Sequence, residues 1–286
     1  MIPSIAILAP GAMGSAVAAR LAEHGAKVLT SLEGRSEATK KRATAAGMVA
    51  STDVEIARAD IILSIVPPAE ALPLAEHVAT QITRNANKPI YVDCNAVNVE
   101  TVRKIEDVIL SSGARFVDAG IIGVPPKPGS KGPALYVSGE AAGELGALRD
   151  LGLDLRIIAG PVGAASALKM SYAGINKGLT GLGAAMALAA TRAGAADALR
   201  DELALSVPAV QARLATALPD MLPKAYRWVA EMREIAGFLG PDHPAALIYE
   251  GFARLFEHIA TDVQGAGTEA AKLVAFAESC KANKPA

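Results

Sequence analysis

Ile5-Ala6-Ile7-Leu8-Ala9-Pro10-Gly11-Ala12-Met13-Gly14-Ser15-Ala16-Val17-Ala18 reads as a strand, a tight turn and a helix. The run over residues 4–9 shows no polar alternation, the pattern of a strand buried on both faces. Gly11 lets the backbone come close to a bound group, and Gly14 lets the helix pack on the strand. The free N–H groups at the helix start carry partial positive charge, which suits a pyrophosphate. Ala9 stands where a G-x-G-x-x-G turn has its first glycine, and Pro10 takes up part of the bend. A glycine turn alone is weak evidence; at the first junction of a strand–helix array it becomes a dinucleotide fingerprint. Gly11, Ala12, Met13 and Gly14 are the first candidate cofactor contacts.

The array continues. Strand-like runs recur at residues 27–31, 61–66, 90–93, 115–119 and 134–138, with a weaker one at 155–158. Helical candidates over 12–24, 37–46, 70–83 and 99–110 separate the first five. Strand and helix in alternation predict an α/β fold: a Rossmann-type, doubly wound, mostly parallel sheet with right-handed crossovers. After Gly160-Pro161 the strand signals stop and apolar residues recur at helical spacing. The reading is therefore two domains. Residues 1–160 form the nucleotide-binding domain, and residues 161–286 an all-α C-terminal domain for substrate binding and dimerisation. Its first helix, Ala164–Arg192, is rich in Gly and Ala, which lets another helix approach closely. Prolines at 208, 219, 223, 241 and 244 punctuate the later ones.

The tip of the second strand bears on the choice of cofactor. An NAD site places an acid there for the ribose 2′-hydroxyl. Here Thr30-Ser31-Leu32-Glu33-Gly34-Arg35-Ser36 has no acid on the strand end itself. Ser31, Arg35 and Ser36 offer hydroxyls and a guanidinium fork, which favour a 2′-phosphate and so NADP over NAD. Lys40 can add charge. Ser36 also reads as a plain helix N-cap, and both roles can hold. Glu33 turned inward would select NAD. Ser64-Ile65-Val66-Pro67-Pro68 gives a rigid strand exit, and Asp93-Cys94-Asn95-Ala96 ends the next strand. Val66, Pro67 and Asn95 are thus candidates for the ligand crevice at the carboxyl ends of the strands. Asn95 can face nicotinamide or substrate; ordinary strand-to-loop chemistry explains these residues equally well.

A net charge of -1 and 4% aromatic residues speak against a nucleic-acid or anionic-membrane surface. Cys94 and Cys280 make no disulfide framework, and Cys94 reads as a small buried residue. The apolar stretch 1–19 lacks a basic leader and is interrupted by Pro10, Gly11 and Gly14, so it does not read as a secretory signal. No stretch has the length of a bilayer span, and a cytoplasmic location is expected. His24, His77, His243 and His258 show no metal spacing. Tyr226, Trp228, Met232 and Phe238 read as core or interface.

Together these residues resemble the β-hydroxyacid dehydrogenase superfamily, which includes 3-hydroxyisobutyrate, tartronate semialdehyde and 6-phosphogluconate dehydrogenases. The resemblance covers most of the N-terminal half and the first helix beyond it. Its dinucleotide signature looks like Ala9-Pro10-Gly11-Ala12-Met13-Gly14, and its substrate signature like Asp118-Ala119-Gly120-Ile121-Ile122-Gly123. The catalytic segment, Gly-x-x-Gly followed by lysine, looks like Gly160-Pro161-Val162-Gly163 leading to Lys169. Thr30 to Ser36 and Leu168-Lys169-Met170 are most similar to a poorly characterised, 6-phosphogluconate-dehydrogenase-like branch. Where members usually carry Asn four residues after the lysine, this chain has Ala173. Tyr172 and Asn176 lie on the lysine's helical face and can stand in.

The resemblance implies hydride transfer between NADP and a small hydroxyacid or related carbonyl compound. Lys169 would be the acid/base, Tyr172 and Asn176 its orienting partners. Gly120, Ile121, Ile122 and Gly123 would present backbone N–H groups to the substrate. Ile122 stands where a hydroxyl or glycine often meets a carboxylate, so the substrate is expected to be less polar. Spacing alone reads Lys169 as a lysine snorkelling from a helix edge. Two alternatives stay open: an NADPH-dependent imine reductase, and a non-catalytic NADP-binding redox sensor. A homodimer through the C-terminal helices is expected.

Overall fold

The glycine turn joins strand to helix as its spacing predicts: β1 is Ile5–Leu8 and α1 is Ala12–Glu23. The structure, a computed structural model, describes residues 2–126 and 132–282. The chain continues through β2 (Val28–Thr30), α2 (Glu37–Ala45), β3 (Met48–Ala50) and α3 (Asp53–Ile56). Next come β4 (Ile61–Ser64), α4 (Pro68–Thr83), β5 (Ile90–Asp93), α5 (Val99–Ser111) and β6 (Arg115–Ile122). Then follow β7 (Ala134–Ser138), a 3-10 turn over Glu140–Leu145, α6 (Gly146–Asp150) and β8 (Asp154–Ile157). Among the described residues the strands form one sheet in the order β3-β2-β1-β4-β5-β6-β7-β8. Every neighbouring pair is parallel except β6 with β7.

Both faces of this sheet are apolar, which is why its strands read as continuous runs. Ile5, Ile7, Leu63 and Val92 pack with Val17 and Leu21 of α1 on one face. Ala6, Leu8, Ile62 and Tyr91 pack with Ile82 of α4 and with Val102, Ile105 and Ile109 of α5 on the other. Each fully buried Ile or Leu stabilises by about 1.5–3 kcal/mol relative to exposure. The order 2-1-4-5 places a crevice at the carboxyl ends of β1 and β4, where the chain reverses its direction across the sheet.

Several elements differ from the sequence reading. β3 and α3 were not expected: β3 is a three-residue edge strand with only Met48 buried, so it has no period to read. β6 runs on to Ile122, three residues beyond the predicted run, because β7 pairs with that extension. α4 begins at Pro68 in place of 70, a first-turn proline whose missing N–H costs the helix nothing.

The chain divides into two compact units, Met1–Met170 and Ser171–Ala286. The division falls inside the 29-residue helix α7 (Ala164–Arg192). The second unit holds the rest of α7 with α8 (Ala196–Ser206), α9 (Pro208–Met221) and a 3-10 turn over Leu222–Lys224. It closes with α10 (Ala225–Leu239), α11 (Pro244–Gln264) and α12 (Thr268–Ala282). The small residues of α7 do what their size suggests. A Cβ on Gly181 would stand 2.7 Å from a Phe252 ring carbon, and one on Gly183 would stand 2.3 Å from Leu214 Cδ2. Trp228 meets Phe256 edge-on at 5.2 Å, and Met232 is fully buried. Tyr226, read as core or interface, is exposed and so is not part of the core. Pro208 and Pro244 open helices, whereas Pro219 lies inside α9 and does not end it. No helix among the described residues is long and apolar enough to cross a membrane. The sequence from residue 283 onward lies outside the described residues.

Candidate active site and nucleotide crevice

Gly14 is fixed by packing. A Cβ there would lie 2.2 Å from the Ala9 carbonyl oxygen and 3.3 Å from Ile7 Cγ2, so any side chain would push α1 off β1. Gly11, the N-cap of α1, is exposed, and nothing lies within 4 Å of where its Cβ would be. Ala12 is also exposed, while Met13 leans on the core. The first turn of α1 has no acidic residue and no side-chain cap, which leaves its N–H groups facing outward. The sequence did not point to Arg42, whose guanidinium donates to the Pro10 carbonyl at 3.2 Å and braces the turn from α2. Its partner is a backbone atom 32 residues away, so no motif could show it.

Beside this turn, Ser31, Glu33 and Arg35 line a cleft of about 250 Å³ with Leu8, Ile56, Leu74, His77 and Gln81. Arg35 and Glu33 are exposed, and Ser31 is half-buried. Ser36 is the N-cap of α2, its hydroxyl accepting from the Thr39 amide at 3.3 Å. Lys40 pairs with Glu37 at 2.8 Å. His77 pairs with Asp53 at 2.7 Å along the same cleft.

Asn95, expected to face nicotinamide or substrate, lies at the tip of β5. It is 2% exposed, and its amide works within the chain. Its oxygen accepts from the Val66 amide at 2.7 Å, and its nitrogen donates to Ser64 Oγ at 2.9 Å and to the Asp93 carboxylate. Asn95 therefore ties the tips of β4 and β5 together and holds Val66 in place. Val66 and Pro67 stay at the surface of the crevice, with Pro67 capping α4.

The second half of the site is built around a buried carboxylate. Ser64, Asp93, Asp118 and Ser138 are register partners across β4, β5, β6 and β7, and none of them is exposed. Asp118 Oδ2 accepts from the backbone N–H groups of Gly163, Ala165 and Ser166 at 2.9–3.0 Å and from Ser138 Oγ at 3.0 Å. Asp118 Oδ1 accepts from Ser166 Oγ at 2.6 Å. A strand carboxylate thus caps the amino end of α7, where the helix dipole favours negative charge.

Gly120 completes the seat. A Cβ there would stand 2.8 Å from the Ala165 carbonyl and 3.2 Å from Lys169 Cβ. Residues 120–123, expected to present backbone N–H groups to the substrate, run from the end of β6 into a bend. Gly120, Ile121 and Ile122 are ladder residues of β6, paired with Tyr136, Leu135 and Ala134. Gly120 is there so that α7 can lie on the strand. Beyond Asp118 the pairing with β5 ends, and that edge of β6 is where donors remain. Gly123 turns away at φ 132°.

Lys169 emerges one turn into α7 and is half-buried. Its Nζ donates to the Cys94 carbonyl at 3.5 Å. Burial pushes the ammonium below its ordinary pKa, against the opposing pull of Cys94, Asp93 and Asp118. Cys94 is buried, and burial pushes its thiol up, which disfavours the thiolate. Tyr172 and Asn176 follow on α7 but belong to the second unit. Tyr172 is exposed, and the Asn176 carbonyl accepts from Arg213 at 3.1 Å. The structure therefore brings Lys169 together with Cys94, Gly120 and Asp118, and the Gly11 turn together with Arg42.

Residues 4–145 match the NAD binding domain of 6-phosphogluconate dehydrogenase, and residues 190–259 match a domain of unknown function. The chain is 35% identical over 146 residues to an uncharacterized 28.5 kDa protein from the 7S RNA 5′ region of Methanothermus fervidus, covering 50% of this chain and 54% of that one. It is 34% identical over 146 residues to the NADPH-dependent reductive aminase of Aspergillus oryzae, covering 49% and 47%. The chain thus matches about half the length of these curated relatives. Among solved structures, a conserved protein described as similar to 3-hydroxyacid dehydrogenases is 28% identical, with a TM-score of 0.72, and covers 91% of this chain and 98% of its own. The 3-hydroxyisobutyrate dehydrogenase of Mycobacterium tuberculosis shares the fold at 18% identity, with a TM-score of 0.67 and coverage of 98% and 99%. The match to the NAD binding domain of 6-phosphogluconate dehydrogenase, the second domain match and the likeness to a structure described as similar to 3-hydroxyacid dehydrogenases place the chain in the β-hydroxyacid dehydrogenase superfamily, among its 6-phosphogluconate dehydrogenase-like and 3-hydroxyisobutyrate dehydrogenase-like members.

Proposed function

We propose that the protein is an NADP-preferring oxidoreductase that moves a hydride between the nicotinamide and a small hydroxyacid or related carbonyl compound. The observation that carries this reading is Lys169, held by the Asp118 cap with its amine beside the strand tips and its ammonium destabilised by burial. NADP would supply or accept the hydride. Its diphosphate would rest on the N–H groups at the start of α1, where Gly11 leaves room. The cleft lined by Ser31 and Arg35 would take the adenosine end, with the Arg35 guanidinium on the 2′-phosphate. In the reducing direction, Lys169 gives a proton to the substrate oxygen; in the oxidising direction, it takes one. A cytoplasmic setting fits free access to NADP.

A second reading is reduction of a C=N bond. It is favoured by the apolar Ile121-Ile122 edge, a poor seat for a carboxylate, and by the reductive aminase among the relatives. A screen of hydroxyacids, aldehydes and cyclic imines by NADPH consumption separates these. Turnover of imines alone would replace the first reading with the second. No turnover alongside firm NADP binding would leave a redox-sensing module.

A second copy of the chain is the proposed partner of the helical unit. Tyr172, Ile175, Leu182 and Met186 form an exposed apolar stripe along α7, with spacings of three, seven and four residues. Sedimentation equilibrium should give twice the 29.2 kDa chain mass, and Leu182→Glu should return it to the monomer. A wild-type monomer at tens of micromolar would remove this proposal.

A further inference from the structure

Asp93 has no part in the mechanism so far, yet one of its carboxyl oxygens is buried without a partner among the described residues. It lies fully buried at the tip of β5, directly in register with Asp118. The two carboxyls are treated very differently. Asp118 accepts from five donors. Asp93 Oδ1 accepts from Asn95, and its Oδ2 is buried with no partner. Two ionised carboxylates side by side in a dry row repel each other, so the proton that relieves them belongs on the poorly solvated one. The residue after Asp93 is Cys94, whose carbonyl receives the Lys169 ammonium. The groups facing Asp93 are Ser64 from β4, Asp118 from β6, Lys169 from α7, and Tyr91, Cys94 and Asn95 from its own segment.

We propose that Asp93 is a positioning residue for Lys169: an internal carboxyl whose charge sets how firmly the lysine holds its proton. When Asp93 is ionised, its field favours the ammonium; when it is protonated, the field is gone and the amine is released more readily. Burial and the Asp118 charge together lift Asp93 to about 7, so the switch between these forms falls near neutrality. No proton need pass directly between the two groups. The proposal rests on Lys169 being the acid/base, but its test does not require a substrate.

Asp93→Asn is the informative variant, because it keeps the acceptor for Asn95 and puts an amide where Oδ2 has no partner. Acetic anhydride acylates only the neutral amine, and peptide mass spectrometry reads Lys169 labelling across a pH series in the full chain. The titration midpoint of Lys169 should fall by about one unit in the variant, with labelling below the midpoint rising about tenfold. Superimposable curves would overturn the proposal. Stability should move too. Between the ordinary carboxylate value of 3.8 and about 7, folding takes up a proton on Asp93, so wild-type stability falls as pH rises through that window. The variant should lack that slope. Should the variant not fold, the wild type still answers: Lys169 labelling should follow a two-step curve with one step near pH 7. A single step would sink the coupling. A shifted midpoint combined with normal turnover of Lys169→Met would uphold the coupling while removing the lysine's catalytic assignment.

Discussion

Replacing Asp118 with alanine is expected to lower the unfolding free energy of the first unit by about 3–5 kcal/mol, among the largest effects a single substitution produces. The cause is what the carboxylate leaves behind. Three backbone N–H groups at the start of α7 and the hydroxyls of Ser138 and Ser166 lose their acceptor inside a dry region. Each orphaned donor costs about 1–3 kcal/mol, and shared relaxation keeps the sum well below the total. Asp118→Asn should fall between, since one oxygen still accepts but the amide faces donors. The readout matters. Trp228 lies in the second unit and can miss an event in the first, so far-UV circular dichroism in urea is the better probe. A midpoint within about 0.5 kcal/mol of wild type would show that α7 is not held by this cap.

Lys169→Met should lower kcat by about 10²- to 10⁴-fold on whichever substrate the screen identifies, the range for loss of a positioned acid/base. Methionine keeps the length and fills the apolar path of the stem, so packing is preserved while the proton carrier is removed. NADP affinity should stay within about twofold, because the phosphate contacts proposed above lie on the Gly11 turn and at Arg35. That split separates catalysis from cofactor binding. Near-normal turnover would return Lys169 to a snorkelling residue, and a matching loss of NADP affinity would make it a cofactor contact.

The sequence showed some of these features and hid others, for physical reasons. The turn at Gly11 and Gly14 was legible because its constraint is local: Gly14 is fixed by atoms five and seven residues before it. The parallel sheet was legible because burial on both faces removes alternation from every central strand. β3 was not, since a three-residue edge strand carries almost no pattern. The role of Asp118 was hidden because its partners on α7 lie 45 to 48 residues away. The residue was visible only as the first letter of a segment read for its backbone donors. The packing role of Gly120 was hidden, because its missing side chain makes room for a helix more than 40 residues further along the chain. Asn95 was correctly placed at a strand tip, but only three-dimensional pairing shows that its amide is engaged by Val66, Ser64 and Asp93.

Calorimetric titration of the wild type and of Arg35→Ala with NADP and NAD, each in both redox forms, bears most directly on the whole reading. One site per chain is predicted, with NADP bound about tenfold or more tightly than NAD in the wild type and that margin erased in the variant. Heat from neither coenzyme would contradict the nucleotide site at the start of α1. Equal affinities unaffected at Arg35 would contradict the 2′-phosphate contact alone.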